Sequence, residues 1–524
     1  MIAVIGGRFQ LIKATVTSRL AKIYNQVHPS FRVLLLLLAF AFVLRTFLIL
    51  FPEVIYNDGV EYIRSAKLIL SGDWGGSKAP PLYPVLIGLT SLVTSNFELA
   101  GIWVSVIFGT LVVLPVYYLG REIFDEKVGI LAALFAVVHP FLYLSSGSVL
   151  TESVYHFLLA TAVLFGWQAF CRGRFRDILL FSLFTSLAYL TRPEAIGFLF
   201  ILSFWVLFIH PLPGRRRGLE RVKIAVLAIL CFLVFSSPYL YQLRKETGRW
   251  EISKKFSISV GSLSREEAAP IESLTKTKKI TLVSFVTEPI PVLKKIGFGW
   301  VQAIYKFQLG FHPLLFILAV FGFAWSMEKR SSKEGSFYLL SYFIFYLGLL
   351  LPFFWTARRY TSLISTIALP WASLGFISLA EWITPRLKEG RWKRTFPVLF
   401  LLFVLTVIFI QGRVIHGRDH RFIQKEAGLW IKDHLSQKGK IMSRLPQEAF
   451  YAELPWVRMP EKTYEEIMAM VRSQGIRYLI IDERAENPSA FLEKTSEKEL
   501  IPIHEWKRKR EWSILFEVRP SALK

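Results

Sequence analysis

The chain has 524 residues, of which 53% are hydrophobic, and its mean hydropathy is +0.43. Apolar runs of about twenty residues recur from Leu34 to Ile410, a pattern that indicates bilayer-spanning helices and excludes an ordinary soluble enzyme. The net charge of +24 would suggest nucleic acid in a soluble protein, but here much of the basic excess can be assigned to loops that set the topology. We therefore expect no nucleic-acid partner.

The first thirty residues are basic, and the apolar run that follows is too long for the core of a cleaved signal peptide. It is interpreted as the first transmembrane helix of a polytopic protein. In chain order the sequence predicts about eleven spans: 33–51, 99–119, 128–146, 153–171, 178–191, 194–211, 222–241, 311–327, 337–355, 360–382 and 395–411. The pair 178–191 and 194–211 could also form one long broken helix.

Short loops rich in Lys and Arg mark the cytoplasmic side of a membrane protein. Such loops fall at every second connection: the N-terminus, 121–127, 171–177, 215–221, 327–335 and 385–394. The alternation holds only if residues 81–93 do not cross, and this segment is too short for a comfortable crossing. It is interpreted as an interfacial or re-entrant helix. The sequence predicts a multi-pass protein of the inner (plasma) membrane with a cytoplasmic N-terminus.

The outer face then carries long loops at 52–98 and 242–310, short loops at 145–152, 191–194 and 356–360, and the hydrophilic tail after the last span. The expected division is a cytoplasmic segment 1–30, a transmembrane domain 31–411 and an extracytoplasmic domain 412–524.

The tail mixes helix and strand patterns. Tyr464, Ile467, Met468 and Val471 have the spacing of an amphipathic helix. The β-rich run "IRYLIID" (476–482) follows after Gly475, and "EWSILFEV" (511–518) is a second predicted strand. A small α/β domain is expected.

Ionisable residues at the outer ends of the spans are the candidate functional residues, because such residues are costly at membrane level and often mark function. They come from separate outer loops and could meet in one cavity; alternatively, each could border its span and extend to water. The set is Asp58, Glu61, Lys78, Glu152, Arg192, Glu194, Arg244, Arg358 and Arg359.

Asp58 allows two interpretations that can coexist. It could be the N-cap of a helix 59–71 with Glu61 at the third position, a variant of the capping box. It could instead be a general base that removes a proton from an acceptor hydroxyl.

Several cations could serve a phosphate. Arg244 follows a span, and Arg358 and Arg359 lie between two spans; arginine forks suit phosphate oxygens in a partly dry site. Lys78 could pair with a phosphate or be an interfacial lysine, whereas Arg192 and Glu194 could pair with each other. Expelling a phosphate leaving group requires such cations.

Glu152 could begin its span as a cap, or hold a divalent cation together with Asp58. No nucleotide-binding or zinc-protease motif occurs in a suitable context. This argues against a nucleotide-fuelled enzyme but leaves open a donor already activated on a lipid.

A series of segments in this order resembles the bacterial polytopic glycosyltransferases of the GT-C fold, and in particular the protein O-mannosyltransferase and aminoarabinose transferase (family 39-like) superfamily. The segments follow an acidic residue in the first outer loop and are "PPLYP" (80–84), "VLTESVYHFLL" (149–159), "YLTRPEAI" (189–196), "SSPYLYQLRKETG" (236–248) and "RRY" (358–360). The resemblance covers roughly residues 30–415.

The resemblance implies a polyprenyl-phosphate-linked sugar as donor and transfer at the outer membrane face. It implies that Asp58 is the catalytic base and that Glu152 matches an acid that helps to bind a metal in related oligosaccharyltransferases, so a divalent metal ion is a candidate cofactor. Expected phosphate-binding residues are Lys78, Arg244, Arg358 and Arg359. Expected cavity-lining residues are Glu61, Tyr83, Arg192, Glu194 and Tyr360.

Two other functions are compatible with a polytopic chain. A secondary transporter or lipid flippase of the cell envelope needs ionisable residues near the bilayer midplane and often has repeated halves, neither of which the sequence contains. A non-catalytic scaffold for envelope proteins is the third hypothesis. For a glycosyltransferase, the sugar stays open, as does the acceptor, which could be a glycolipid, a polysaccharide or a protein.

Overall fold

The structure is a computed structural model, and it describes most of the chain. The described residues are 28–51, 53–209, 218–254, 289–328, 330–350, 358–387, 390–416, 422–435, 439–460, 463–483, 499–508 and 511–519. Most of the predicted cytoplasmic segment 1–30 and the central part of the predicted outer loop 242–310 lie outside this set.

Helices make up most of the described chain up to residue 416, joined by short connections. Its helices are α1 Pro29–Thr46, α2 Asn57–Leu70, α3 Leu82–Thr94, α4 Phe97–Leu111, α5 Val113–Ile123, α6 Glu126–Val138, α7 Pro140–Ser145, α8 Glu152–Arg172, α9 Phe175–Tyr189, α10 Gly197–Phe208, α11 Gly218–Thr247, α12 Pro289–Phe311, α13 Pro313–Ser326, α14 Arg330–Phe343, α15 Arg358–Thr361, α16 Ser365–Ile383 and α17 Arg391–His416. A π-helical stretch, Ile344–Leu350, continues α14, and 3₁₀ turns extend α1, α10 and α16.

Among the described residues, six helices are long and apolar enough to cross a membrane, and a bent pair raises the number to seven at most. The pair is Ile296–Phe311 with Pro313–Ser326, bent by 108°. Each of the eleven predicted spans coincides with a described helix or pair of consecutive helices. The confirmed result is a multi-pass helical protein, while the number of crossings stays a prediction.

Two of the predicted basic loops, 121–127 and 171–177, lie together at one end of the helix bundle. Arg172, at the end of α8, forms a 2.6 Å ion pair with Glu122 of another basic loop. His28 lies 3.9 Å from Glu126, so the start of α1 is at this end as well. Helix α8 has 21 residues and is therefore about 30 Å long, which puts Glu152 at the opposite end.

Two helices occupy regions outside the predicted spans. Helix α3 has 13 residues, which agrees with the prediction that residues 81–93 are too short to span. Helix α12 has 23 residues that fall almost wholly inside the predicted outer loop 242–310, where the sequence predicted no helix. Three lysines interrupt its apolar residues, so it presents no continuous hydrophobic run.

A five-stranded sheet forms the C-terminal domain, confirming the predicted small α/β domain. Its elements are α18 Phe422–His434, β1 Lys440–Ser443, α19 Gln447–Tyr451, β2 Trp456–Arg458, α20 Tyr464–Gln474, β3 Ile476–Asp482, β4 Leu500–Arg508 and β5 Glu511–Val518. The strand order is β2-β1-β3-β5-β4; β1 pairs in parallel with β2 and β3, and β5 pairs antiparallel with β3 and β4. The predicted helix and both predicted strands are confirmed.

Successive side chains of β3 point to opposite faces of the sheet and take part in two separate hydrophobic layers. Leu479 and Ile481 pack with α20 on one face of the sheet, whereas Tyr478 and Ile480 pack with α18 and Ala449 of α19 on the other. Gly475 ends α20 with φ 61°, a left-handed conformation that glycine adopts without strain. The face of the domain that carries α19 packs against the helical part of the protein. Tyr451 of α19 belongs to the hydrophobic core of that helical part.

Candidate active site

Asp58 lies in the first turn of α2. The residue at the N-cap position is Tyr56, with extended φ and ψ of −73° and 156°, and the helix begins at Asn57. Asp58 is therefore inside the helix, which corrects the interpretation of Asp58 and Glu61 as a capping box. Glu61 instead faces Arg64 at 3.7 Å on the next turn. Asp58 is not the N-cap of α2, and its side chain makes a contact with another part of the chain.

That contact is with Arg359, at the start of the helical segment 358–386. The Arg359 guanidinium donates from Nη2 to Asp58 Oδ2 at 2.5 Å and to the Tyr360 hydroxyl at 2.8 Å. The Asp58 side chain keeps 38% of its surface exposed, and that of Arg359 keeps 29%. The pair is therefore reachable by a substrate, although it is held in a fixed geometry.

Arg192 organises a second group of charges. Its guanidinium donates to Glu194 Oε1 at 2.7 Å and to the Thr151 hydroxyl at 3.3 Å, and it lies 4.0 Å from Glu152 Oε1. Glu152 is only 2% exposed, so this arginine compensates a buried carboxylate. The predicted pairing of Arg192 with Glu194 is present, and Glu152 joins it.

Tyr360 connects the two groups. Its ring lies 4.8 Å from the Arg359 guanidinium carbon and 5.2 Å from that of Arg192, so it contacts both cations. The Glu152 carboxylate also interacts electrostatically with both arginines. Residues from four separate chain segments thus form one polar cluster, the Asp58 cluster. Its members among the predicted residues are Asp58, Glu152, Arg192, Glu194, Arg359 and Tyr360.

Three predicted phosphate-binding residues are not brought into the Asp58 cluster. Lys78 is exposed, and the Arg244 side chain bonds to the Gly248 carbonyl and lies 5.9 Å from the Trp250 ring. The Arg358 side chain is exposed as well. In the described residues none of the three contacts Asp58 or Glu152, so their assignment to the donor phosphate stays a prediction.

Tyr83, predicted to line the cavity, is fully buried beside it. Its hydroxyl donates to the Gly101 carbonyl at 3.3 Å and lies 3.2 Å from Ser105 Oγ. Its ring meets Tyr62 of α2 edge-on, with centroids 5.2 Å apart. Tyr83 therefore packs the "PPLYP" helix against α2 and α4 and supports the helix that carries Asp58.

Two tyrosines of the cluster were not predicted. Tyr155 lies under Arg192, with 5.7 Å between its ring centroid and the guanidinium carbon, and its hydroxyl is 2.5 Å from that of Tyr346. Tyr155 follows Glu152 by three residues and so shares its helix face, which is a signal that the sequence contains. Tyr346 belongs to the π-helical stretch, a local geometry that sequence periodicity does not reveal.

The candidate metal site does not fit its residues in this arrangement. Glu152 and Asp58 each face an arginine, and a cation bound between them would meet those guanidinium groups. No group of three or more His, Cys, Asp or Glu side chains suited to a metal ion occurs in the described part of the chain. The chemistry of the cluster is therefore derived from its side chains alone.

Comparison with known proteins identifies the fold. Residues 78–241 match the family model of dolichyl-phosphate-mannose-protein mannosyltransferases. The comparison with curated proteins found no match.

Solved structures align over nearly the whole chain. ArnT from Cupriavidus metallidurans bound to undecaprenyl phosphate has 12% identity and a TM-score of 0.56, covering 92% of this chain and 97% of ArnT. The oligosaccharyltransferase AglB from Archaeoglobus fulgidus, with an inhibitory peptide and a dolichol-phosphate, has 13% identity and a TM-score of 0.56, covering 93% and 74%. A structure of the Archaeoglobus oligosaccharyltransferase with Zn and sulfate has 13% identity and a TM-score of 0.52, covering 85% and 68%.

At these identities the structural likeness establishes the fold, and together with the family match it confirms the resemblance that the sequence motifs indicated. The chain is thus a multi-pass membrane protein of the GT-C glycosyltransferase fold, in which residues 78–241 match the mannosyltransferase family model.

Proposed function

We propose that this protein transfers a sugar from a polyprenyl-phosphate-linked donor to an acceptor of the cell envelope, with Asp58 as the general base. The observation that carries the proposal is the pairing of a partly exposed Asp58 with Arg359 inside a polar cluster at one end of a GT-C fold. The solved relatives AglB and ArnT contain a dolichol-phosphate and undecaprenyl phosphate, which supports a lipid-phosphate donor.

In the proposed reaction the acceptor hydroxyl gives its proton to the Asp58 carboxylate while its oxygen attacks the anomeric carbon of the sugar. The bond between that carbon and the phosphate oxygen breaks, and its electron pair leaves with the polyprenyl phosphate. One attack from the face opposite the phosphate inverts the configuration at the anomeric carbon.

Charge balance assigns roles to the arginines. Arg359 orients Asp58 through its 2.5 Å hydrogen bond, and its remaining N–H groups offer donors for an incoming phosphate. Arg192 is already surrounded by Glu152 and Glu194, so it supports the cavity wall and leaves phosphate binding to Arg359. Lys78, Arg244 and Arg358 remain proposed ligands of the donor phosphate, although none of them contacts Asp58 or Glu152 in the described residues.

The positions of the basic loops support our proposal for the side of the membrane on which the Asp58 cluster lies. These loops lie at the end of α8 away from Glu152, and loops rich in Lys and Arg face the cytoplasm. We therefore place the Asp58 cluster and the C-terminal domain on the outer face of the plasma membrane, in a division close to 31–411 and 412–524. A polyprenyl tail in the bilayer brings its phosphate to this level.

The test is an Asp58→Asn variant, which keeps the size of the side chain but removes the base. We expect sugar transfer to fall by at least about 100-fold, the usual contribution of a general base. The product is measured by mass spectrometry of glycolipids and glycoproteins in a deletion strain that carries each variant. Asp73→Asn is the matched control, since Asp73 lies in the same loop but only accepts the Gly76 N–H.

The result separates the candidate functions. Full transfer by Asp58→Asn would exclude Asp58 as the base. If the purified wild-type protein moves a lipid-linked sugar across a vesicle membrane without a new glycosidic bond, the protein is a transporter and the proposal is wrong.

A further inference from the structure

The C-terminal domain contacts the chain immediately before Asp58. Helix α19, which follows strand β1, lies against residues 55–57, which its contacts reach across 390 and 392 positions of the sequence. The contact is buried, because the Gln447 side chain that makes it is 3% exposed. Since the segment 55–57 leads directly into the first turn of α2, whatever holds it also sets the position of Asp58.

Gln447 uses its side-chain amide for this contact. Its Nε2 donates to the Ile55 carbonyl at 3.0 Å and to Asn57 Oδ1 at 2.5 Å. One bond fixes the backbone two residues before α2, and the other fixes the side chain next to Asp58. Two N–H groups on one planar amide define both direction and distance, which a single apolar contact cannot do.

Tyr451 makes the second contact, one turn further along α19. Its hydroxyl accepts the backbone N–H of Ile55 at 3.0 Å and donates to Glu98 Oε1 at 2.9 Å. Burial raises the pKa of the Tyr451 hydroxyl, so the proton that it donates stays in place. The N–H and the C=O of Ile55 are therefore both bound by the C-terminal domain.

On the side opposite α19, the segment 55–59 packs closely against the residues before Glu152. A Cβ on Gly59 would lie 2.8 Å from the Ile55 side chain and 2.8 Å from the Val149 carbonyl oxygen. The chain from 55 to 59 is thus enclosed between α19 and the residues that precede Glu152, with little room to shift. Asp58 leaves this enclosed segment toward Arg359.

We infer that Gln447 and Tyr451 are positioning residues for the reaction, through which the C-terminal domain holds Asp58 in its reactive geometry. The inference rests on the proposed function, in which Asp58 is the base. It makes the rate depend on the C-terminal domain through Asp58, since a misplacement of about 1 Å at a reacting group can reduce the rate about 100-fold.

The test uses Gln447→Met and Tyr451→Phe in the full-length protein, which remove the hydrogen bonds at similar volume. Arg477→Gln is the matched control, because Arg477 makes two hydrogen bonds to Glu517 within the same domain and does not contact residues 55–57. Once the deletion strain has identified the sugar, kcat and the KM for the donor are measured. Hydrogen exchange of the peptide covering 53–60 reports the position of the segment independently of activity.

We expect faster exchange at 53–60 and a kcat at least about tenfold lower in both variants, with the donor KM within about twofold and Arg477→Gln unchanged. We also expect Gln447→Met to cause no further loss in an Asp58→Asn background, because both changes act on the same step.

Three outcomes are distinguishable. Faster exchange with unchanged kcat would make the contact structural only and overturn the inference. An equal loss of kcat in the Asp58→Asn background would mean that Gln447 acts independently of Asp58, which also overturns it. If Asp58→Asn alone has no effect, the proposed function fails, whereas the exchange experiment still tests the contact.

Discussion

At the scale of single residues, Arg192 is the nearer of the two arginines that compensate the Glu152 carboxylate. This carboxylate is buried at the start of α8, and the nearest cation is Arg192 at 4.0 Å. Glu152 Oε2 has no hydrogen-bond partner in the described part of the chain. A buried charge with so few contacts is tolerated only while its counter-ion is present.

We predict that Arg192→Ala lowers the free energy of unfolding by about 3–5 kcal/mol, the usual cost of leaving a buried charge without its partner. Adding Glu152→Gln to Arg192→Ala removes the orphaned charge and should restore part of the stability. Thermal unfolding in detergent measures both. Arg477→Gln, which breaks a partly exposed pair, should cost only about 0–1 kcal/mol.

A double variant no more stable than Arg192→Ala would contradict this account. It would mean that the loss comes from packing of the guanidinium against Tyr155 and Tyr360 and not from the charge of Glu152.

At the scale of elements, helices α13 and α16 pack with their backbones in contact. A Cβ on Gly375 would overlap the Leu318 carbonyl oxygen, and one on Gly322 would overlap the Trp371 carbonyl oxygen. Small residues at such positions let membrane helices approach closely. This close approach sets the position of α16, and α16 continues the segment that begins with Arg359.

We predict that Gly375→Ala destabilises the protein by about 1–3 kcal/mol, because the added methyl group overlaps backbone that cannot rotate away. The control is Gly297→Ala in α12, where nothing lies within 4 Å of the added Cβ. That change should be neutral or stabilising by about 0.5–1 kcal/mol, because alanine favours helix more than glycine does. Thermal unfolding of the purified protein compares the two, and equal stability of both variants would refute the close packing.

The elements also differ in how well the sequence predicts them. Strands at 476–482 and 511–518 are confirmed to the residue, because β-rich runs bounded by turns are local signals. Helix α12 was missed, because amphipathic helices lack the continuous apolar run by which spans are recognised.

At the scale of the whole molecule, the polar cluster and the basic loops lie at opposite ends of the bundle. Arg172 and Glu152 are the two ends of α8, and the C-terminal domain docks beside Asp58 at the Glu152 end. The orientation of the protein in the membrane therefore decides on which side its chemistry occurs.

We predict that Lys507→Cys, on exposed β4, reacts with a membrane-impermeant maleimide in spheroplasts, because the proposed orientation puts the C-terminal domain outside. Arg174→Cys, in a basic loop at the other end of the bundle, should react only after permeabilisation. Both variants are made after Cys171 and Cys231 are replaced by alanine, and labelling is measured by a gel shift. Labelling of position 174 alone in intact spheroplasts would place the Asp58 cluster in the cytoplasm.

The sequence by itself determined the membrane class, most of the helical segments and the α/β tail, whereas the resemblance singled out Asp58 as the candidate base. The first three features depend on hydropathy, charge distribution and short-range spacing, which are local properties of the sequence. The resemblance of ordered motifs such as "PPLYP" and "RRY" determined the fold family, and the comparisons confirm it.

Only the tertiary structure decided which charges meet. Arg359 pairs with Asp58 across 301 residues, and Arg358, its neighbour in the chain, does not join the cluster. No local pattern distinguishes these two arginines, because the direction of each side chain is set by how α16 packs. The same holds for Gln447, whose contact with Asn57 exists only because the C-terminal domain docks on the segment that begins α2.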